Sequence, residues 1–209
     1  MINFFAENYS LIGEKLLEHL FISLVSLGLG ILVALPLGIV LSKYEKLSSG
    51  VMRVASVLQT VPSFALLALM IPIFGVGKLT AISALFIYSL LPILRNTFLG
   101  LTSVTPSIVD AAKGMGMEER QILLKVKIPL ALPVIMAGIR LSAVYVLAWT
   151  TLASYVGAGG LGDFIFNGLN NYVPPMIIWG TIPITFLALA TDYLLRKMEE
   201  RLSPYKVGE

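Results

Sequence analysis

From Leu20 to Leu41, twenty-two residues pass without a charged side chain. As a helix, such a run rises about 33 Å, enough to cross a hydrocarbon core about 30 Å thick. Inside lipid every backbone N–H and C=O must find a partner within the protein, and a single apolar segment achieves this only as a helix. A cleaved export signal needs a basic leader and a shorter apolar stretch, whereas the residues before this run carry Glu7, Glu14 and Glu18 against one Lys15. The run is expected to stay in the chain as a first membrane span, about 20–41.

Four further apolar runs follow. The second lies between Arg53 and Lys78, about 54–77, and contains Pro62 and Pro72, which membrane helices tolerate when neighbours satisfy the freed carbonyls. The third, about 79–95, ends at Arg95, whose long side chain can reach the headgroups. The fourth, about 130–156, contains Arg140, a charge that must face protein or water. The fifth is about 174–195. The expected fold is an all-α integral membrane protein with about five transmembrane helices. They form one transmembrane domain over 1–209, with one long cytoplasmic loop at about 105–128. Composition agrees: 57% of residues are hydrophobic and 13% charged, against about 25% charged in ordinary soluble domains. With one histidine and no cysteine, thiolate metal sites, disulfides, iron–sulfur ligation and cysteine nucleophiles are excluded. No catalytic or metal-ligating residue is assigned.

Cytoplasmic loops of membrane proteins collect Lys and Arg, so positive charge gives the orientation. Lys43, Lys46 and Arg53 lie in the first loop; Arg95, Lys113, Arg120, Lys125 and Lys127 surround the long loop; Arg196, Lys197, Arg201 and Lys206 follow the fifth run. Those twelve of the fifteen basic residues fall on one side, and the other side holds Lys15 and Lys78. The expected topology is N-terminus outside and C-terminus inside. The formal charge of +3 is thus a topological signal, and nucleic acid is not an expected partner.

The long loop is amphipathic. Ile108, Val109, Ala112, Met115, Ile122 and Leu123 can line one side of short helices, with Lys113, Glu118, Glu119 and Arg120 elsewhere. An interfacial helix on the bilayer surface is one reading of that pattern. The finer pattern is Asp110-Ala111-Ala112, three residues, Gly116, nine residues, Val126, one residue, Ile128-Pro129. This resembles the EAA loop of ABC importer permeases, with Asp110 for Glu, Val126 for Ile and Ile128 for Leu. The resemblance implies that Asp110, Ala111, Ala112, Gly116, Val126, Ile128 and Pro129 belong to coupling helices docked on a cytoplasmic ATPase. Small Ala111 and Ala112 would allow close helix approach, and Gly116 a sharp turn.

A second set of runs covers most of the chain: Gln59-Thr60-Val61-Pro62-Ser63, Gly75-Val76-Gly77-Lys78, Tyr88 to Thr97, Ile128 to Arg140, and Gly157 to Asp163. These look like the permeases of osmoprotectant importers, which carry glycine betaine, carnitine or choline, within a methionine-importer-like class. The resemblance implies a transport subunit and not an enzyme. It implies a second permease chain, identical or sibling, an ATPase chain holding ATP and Mg, and an extracytoplasmic solute-binding protein. The chain has no Walker A pattern. The fourteen residues after Leu195 are too few for a fused solute-binding domain, so both partners are expected to be separate chains.

Tyr145 and Trp149 share a helix face and could meet a quaternary ammonium along the translocation path by cation–π attraction, about 0.5–2 kcal/mol per contact. Ordinary helix packing is the competing reading. Gly157, Gly159, Gly160, Gly162 and Asp163 form a loop on the outer side, where a receptor would dock. His19 is expected at the outer interface, and Asp192 in an ion pair with Arg196 one turn on. Rival functions are the same machine with another small solute, such as an amino acid or related betaine, and a secondary transporter. The latter lacks the midplane acidic residues that couple ions.

Overall fold

The computed structural model describes residues 2–202, and regular structure among them is helical. The helices are α1 (Ile2–Leu41), α2 (Glu45–Thr60), α3 (Ser63–Phe74), α4 (Lys78–Thr102), α5 (Pro106–Gly114), α6 (Glu119–Ile122), α7 (Ile128–Thr150), α8 (Gly162–Asn170) and α9 (Pro174–Leu202). A π-helical turn, Leu123–Lys127, joins α6 to α7, and a 3-10 turn, Thr151–Val156, follows α7. Four continuous helical stretches are long and apolar enough to span a bilayer. Lys206 lies outside the described residues.

Contacts fix how these helices run. Lys78 Nζ at the start of α4 meets Glu18 Oε1 at 2.8 Å. Further along, Gly30 packs on Ser89, and a Cβ on Gly38 would lie 2.7 Å from Thr97 Cβ, so α1 and α4 run parallel in register. Helix α7 runs opposite: Ser142 Oγ donates to Ser89 O at 3.0 Å, and a Cβ on Gly138 would sit 2.8 Å from Pro92 O. Small residues at these crossings let backbones approach where lipid offers no hydrophobic drive. Ile22, Leu66, Leu67, Ala81, Ala84, Leu85, Tyr88 and Val146 form the main buried core between α1, α3, α4 and α7.

At 40 residues, α1 is about 60 Å long, twice a hydrocarbon core. Because Glu18 is level with the first residue of α4, the preceding turns of α1 project past α4. There they meet the hairpin of α8 and α9: Phe5 stacks on Trp179 at 4.4 Å, and Ile12, Leu161 and Phe164 are buried together.

Three expectations change. The run 54–77 is two helices, α2 and α3, bent by 98°. Pro62 has no N–H and disfavours helical geometry at the residue before it, and Val61 is extended (φ −64, ψ 126). The break is pinned, since Tyr88 Oη donates to Val61 O and Gln59 Nε2 donates to Tyr88 O at 3.2 Å. His19, expected at the outer interface, does not face solvent or lipid: it is fully buried, with Nε2 3.0 Å from Leu147 O, because the Gly160 turn packs over it. Asp192 does not pair with Arg196. Arg196 Nε instead meets Glu200 Oε1 at 3.1 Å, and Asp192 faces Arg140 on α7.

Candidate coupling and translocation site

The long loop folds as two short helices with a turn between them. Pro106 opens α5 at a position where its missing N–H costs nothing. The helix ends in a paired closure: Met117 N–H donates to Ala112 O at 3.2 Å and Gly116 N–H to Lys113 O at 2.9 Å. This Schellman arrangement needs a left-handed residue at Gly116, where φ is +77. Ala112 is buried against the body of the protein. Asp110, Ala111, Ile108 and Met115 are exposed, an apolar and acidic face on a polar loop. Asp110 Oδ1 lies 4.0 Å from Lys113 Nζ.

Beyond Gly116 the chain re-enters the membrane as one rod. Glu118 N–H donates to Gln121 Oε1 at 3.0 Å, closing the start of α6. Pro129 cannot donate to the carbonyl four residues back, and here the helix takes a π turn: Ile128 N–H donates to Leu123 O, five residues back. Val126, Ile128 and Pro129 are half-buried at this junction. Val126, Ile128 and Pro129 therefore lie on one continuous helical path from α6 into α7.

Within the spanning region, two kinds of surface remain open. Leu24 and Leu32 of α1, with Phe186 and Leu189 of α9, are exposed and purely apolar, as a lipid face should be. The other surface is a groove of about 410 Å³ between α2, α4 and α7, lined in part by Gln59, Arg95, Asn96 and Tyr145. A second depression of about 590 Å³ adjoins it, with Arg53, Ser56 and Arg95 in its wall. Charges and amides at membrane depth face protein or water and not lipid. Tyr145 stacks on Trp149 at 5.6 Å and 21°, and Trp149 meets Tyr88 at 4.4 Å and 67°. The structure thus brings Tyr145 and Trp149 together beside the break at Val61. Gln59, Tyr88, Arg95 and Asn96 belong to the runs that carry the family resemblance, but sequence alone did not place them at the path, and Arg95, expected to reach the headgroups, lines the groove; the available signal was polar side chains inside otherwise apolar windows.

Arg140 points elsewhere. Its Nη1 is 3.5 Å from Asp192 Oδ1 and its Nε 3.6 Å from Glu199 Oε2, joining α7 to α9.

At the Lys78 end, α1, α4 and the glycine loop meet in an ionic cluster. Lys15 Nζ lies 2.9 Å from Glu18 Oε2 and 2.7 Å from Asp163 Oδ2, and Gly160 N–H donates to Glu18 Oε2 at 3.2 Å. The cluster precedes the charge-free run that begins at Leu20. The Lys78 ammonium, ahead of the other partners, holds the Glu18 carboxyl down at about 2. The loop is compact: Gly157 ends the 3-10 turn in left-handed geometry, Gly160 and Gly162 are buried, and Gly159 packs directly on the Glu18 carboxylate. The tip between α8 and α9 is exposed, with Tyr172 at 91%.

Residues 26–204 match the model of the family described as "Binding-protein-dependent transport system inner membrane component". The chain belongs to this family. It is a multi-pass membrane protein of the ABC transporter permease class. It is 56% identical over 209 residues to a carnitine transport permease protein, OpuCB, of Listeria monocytogenes, covering 100% of this chain and 96% of that one. It is 48% identical to a choline transport system permease protein, OpuBB, of Bacillus subtilis, covering 98% and 94%. Among solved structures, a chain of the MetNI methionine ABC transporter in an inward-facing form superposes with a TM-score of 0.83 at 22% identity, over 93% of this chain and 97% of that one. That likeness establishes the permease fold.

Proposed function

We propose that this chain is the membrane-spanning permease subunit of an ATP-driven importer of osmoprotectants such as glycine betaine, carnitine or choline. The observation that carries the reading is the 56% identity to a carnitine permease along the full chain, joined to a polar and aromatic groove at membrane depth. In this reading the face of α5 around Asp110, Ala111 and Met115 docks on a cytoplasmic ATPase, which binds ATP and Mg. The rod from α6 through Val126, Ile128 and Pro129 carries the motion into α7. The groove faces a second permease chain, so that two subunits enclose the path that one leaves open. The N-terminus and the α8–α9 tip lie outside, where a solute-binding protein delivers cargo. The C-terminus lies inside. Gly160 acts at that outer end through Glu18, since it is itself buried.

The test is reconstitution of the chain with its ATPase, permease partner and solute-binding protein in liposomes. ATP-dependent accumulation of carnitine, choline or glycine betaine is expected. Accumulation of an amino acid alone would move the cargo to another class, and uptake driven by an ion gradient without ATP would refute the importer reading.

A further inference from the structure

The groove between α2, α4 and α7 combines an aromatic surface with a cation, Arg95. Tyr145 is 41% exposed, lines the groove and stacks on Trp149. Trp149 is in turn held by Tyr88, which keeps the platform rigid. Such a face attracts a quaternary ammonium. Arg95 lines the same groove, and among the described residues no carboxylate lies within 4.0 Å of it. A guanidinium repels a simple cation and offers a fork of donors to a carboxylate.

Register gives the spacing. Ser142 lies beside Ser89; Tyr145 is three residues from that point in one direction and Arg95 six in the other, about 13 Å apart along the axis at about 1.5 Å per residue. Both side chains line the same groove across that interval. Asn96 and Gln59 line the interval. Each amide gives one N–H to a backbone carbonyl, Asn96 to Pro92 O and Gln59 to Tyr88 O, and retains a second.

We infer that Tyr145 and Arg95 form a transit site selective for carboxylate-bearing quaternary ammonium compounds, with the ammonium on the Tyr145 face and the carboxylate toward Arg95. A cation without a carboxylate, such as choline, passes the same ring but gains nothing from the arginine. This inference rests on the cargo class proposed above and adds a discrimination made inside the membrane, after the receptor has released its load.

The test compares carnitine and choline uptake by the reconstituted complex. Arg95→Gln is expected to lower the ratio of carnitine to choline uptake about tenfold, while Arg95→Lys keeps it within about threefold of the parent. A ratio does not depend on how much complex assembles. Tyr145→Leu is expected to lower uptake of both compounds with the ratio unchanged, and Tyr145→Phe to retain both, which tests the site should Arg95→Gln fail to assemble. Where the parent carries only the carboxylate-bearing cargo, the Arg95→Gln loss is read as uptake per ATP hydrolysed. An unchanged ratio in Arg95→Gln, or Tyr145→Leu uptake equal to that of the parent, overturns the transit site. A parent complex that imports choline but no carboxylate-bearing compound overturns the site and leaves the cargo class standing. One that imports no quaternary ammonium compound overturns both.

Discussion

Removing Arg140 should loosen the join between α7 and α9, and the structure sets the size of the effect. Asp192 and Glu199 are seven residues apart on α9, two turns along one face, and the guanidinium between them meets one at 3.5 Å and the other at 3.6 Å. Arg140→Leu leaves two carboxylates against an apolar surface. A fully buried ion pair broken from one side loses about 3–5 kcal/mol, and an exposed pair about 0–1 kcal/mol. Side-chain exposures of 30% for Arg140, 48% for Asp192 and 23% for Glu199 place this site between those limits, near about 2 kcal/mol. That is roughly thirtyfold in an equilibrium constant, or a fall of about 4–8 °C in midpoint for a domain of this size. The assay is the thermal midpoint of the purified complex in detergent, with abundance in the membrane measured alongside. Arg140→Lys, which can satisfy one carboxylate at a time, should lose about half as much. Adding Asp192→Asn and Glu199→Gln to Arg140→Leu should recover at least half of the loss, because neutral amides need no counter-charge. A native midpoint for Arg140→Leu, or a triple variant no more stable than the single one, would show that the charges do not hold these helices together.

Three further outcomes are expected. Gly116→Val forces a β-branched residue into left-handed geometry at φ +77 with no atom within 4 Å of the new Cβ, so the cost is backbone strain alone. Solute uptake per ATP hydrolysed should fall several-fold while Gly116→Asn stays near the parent, and equal coupling in the valine variant would reduce α5 to a passive surface helix. Gly160→Val, at φ +87 and against His19 and the Glu18 contact, should lower receptor-stimulated ATP hydrolysis in an assembled complex; unchanged stimulation would detach the glycine loop from receptor coupling. With no native cysteine, single cysteines at the exposed Ser107 and Asn170 report sidedness: an impermeant external thiol reagent should label Asn170 and spare Ser107 in intact cells. The reverse pattern would invert the topology.

What the sequence determined by itself is whatever depends on local chemistry. Twenty-two uncharged residues from Leu20 to Leu41 require a helix because lipid supplies no hydrogen-bond partners. The loop pattern from Asp110 to Pro129 marks its turn, because a left-handed closure after Ala112 and Lys113 calls for glycine. What only the tertiary structure decided is which distant side chains meet. Pro62 is legible as a weak point, but its 98° bend is held by Tyr88 of α4, which accepts from Gln59 on one side of the break and donates to Val61 O within it. Asp192 and Arg196 are correctly spaced for a pair on one helix, yet Arg140 lies closer to Asp192 across the α7–α9 contact, and a charge at membrane depth takes the opposite charge that packing brings to it. His19 reads as an exposed interfacial residue, yet Leu147 and the Gly160 turn, distant in sequence, bury it. The groove of Gln59, Arg95, Asn96 and Tyr145 is drawn from three helices whose register is set by Ser89 against Ser142 and by Gly138 against Pro92. That register is a property of close packing between helices, and one-dimensional periodicity carries no record of it.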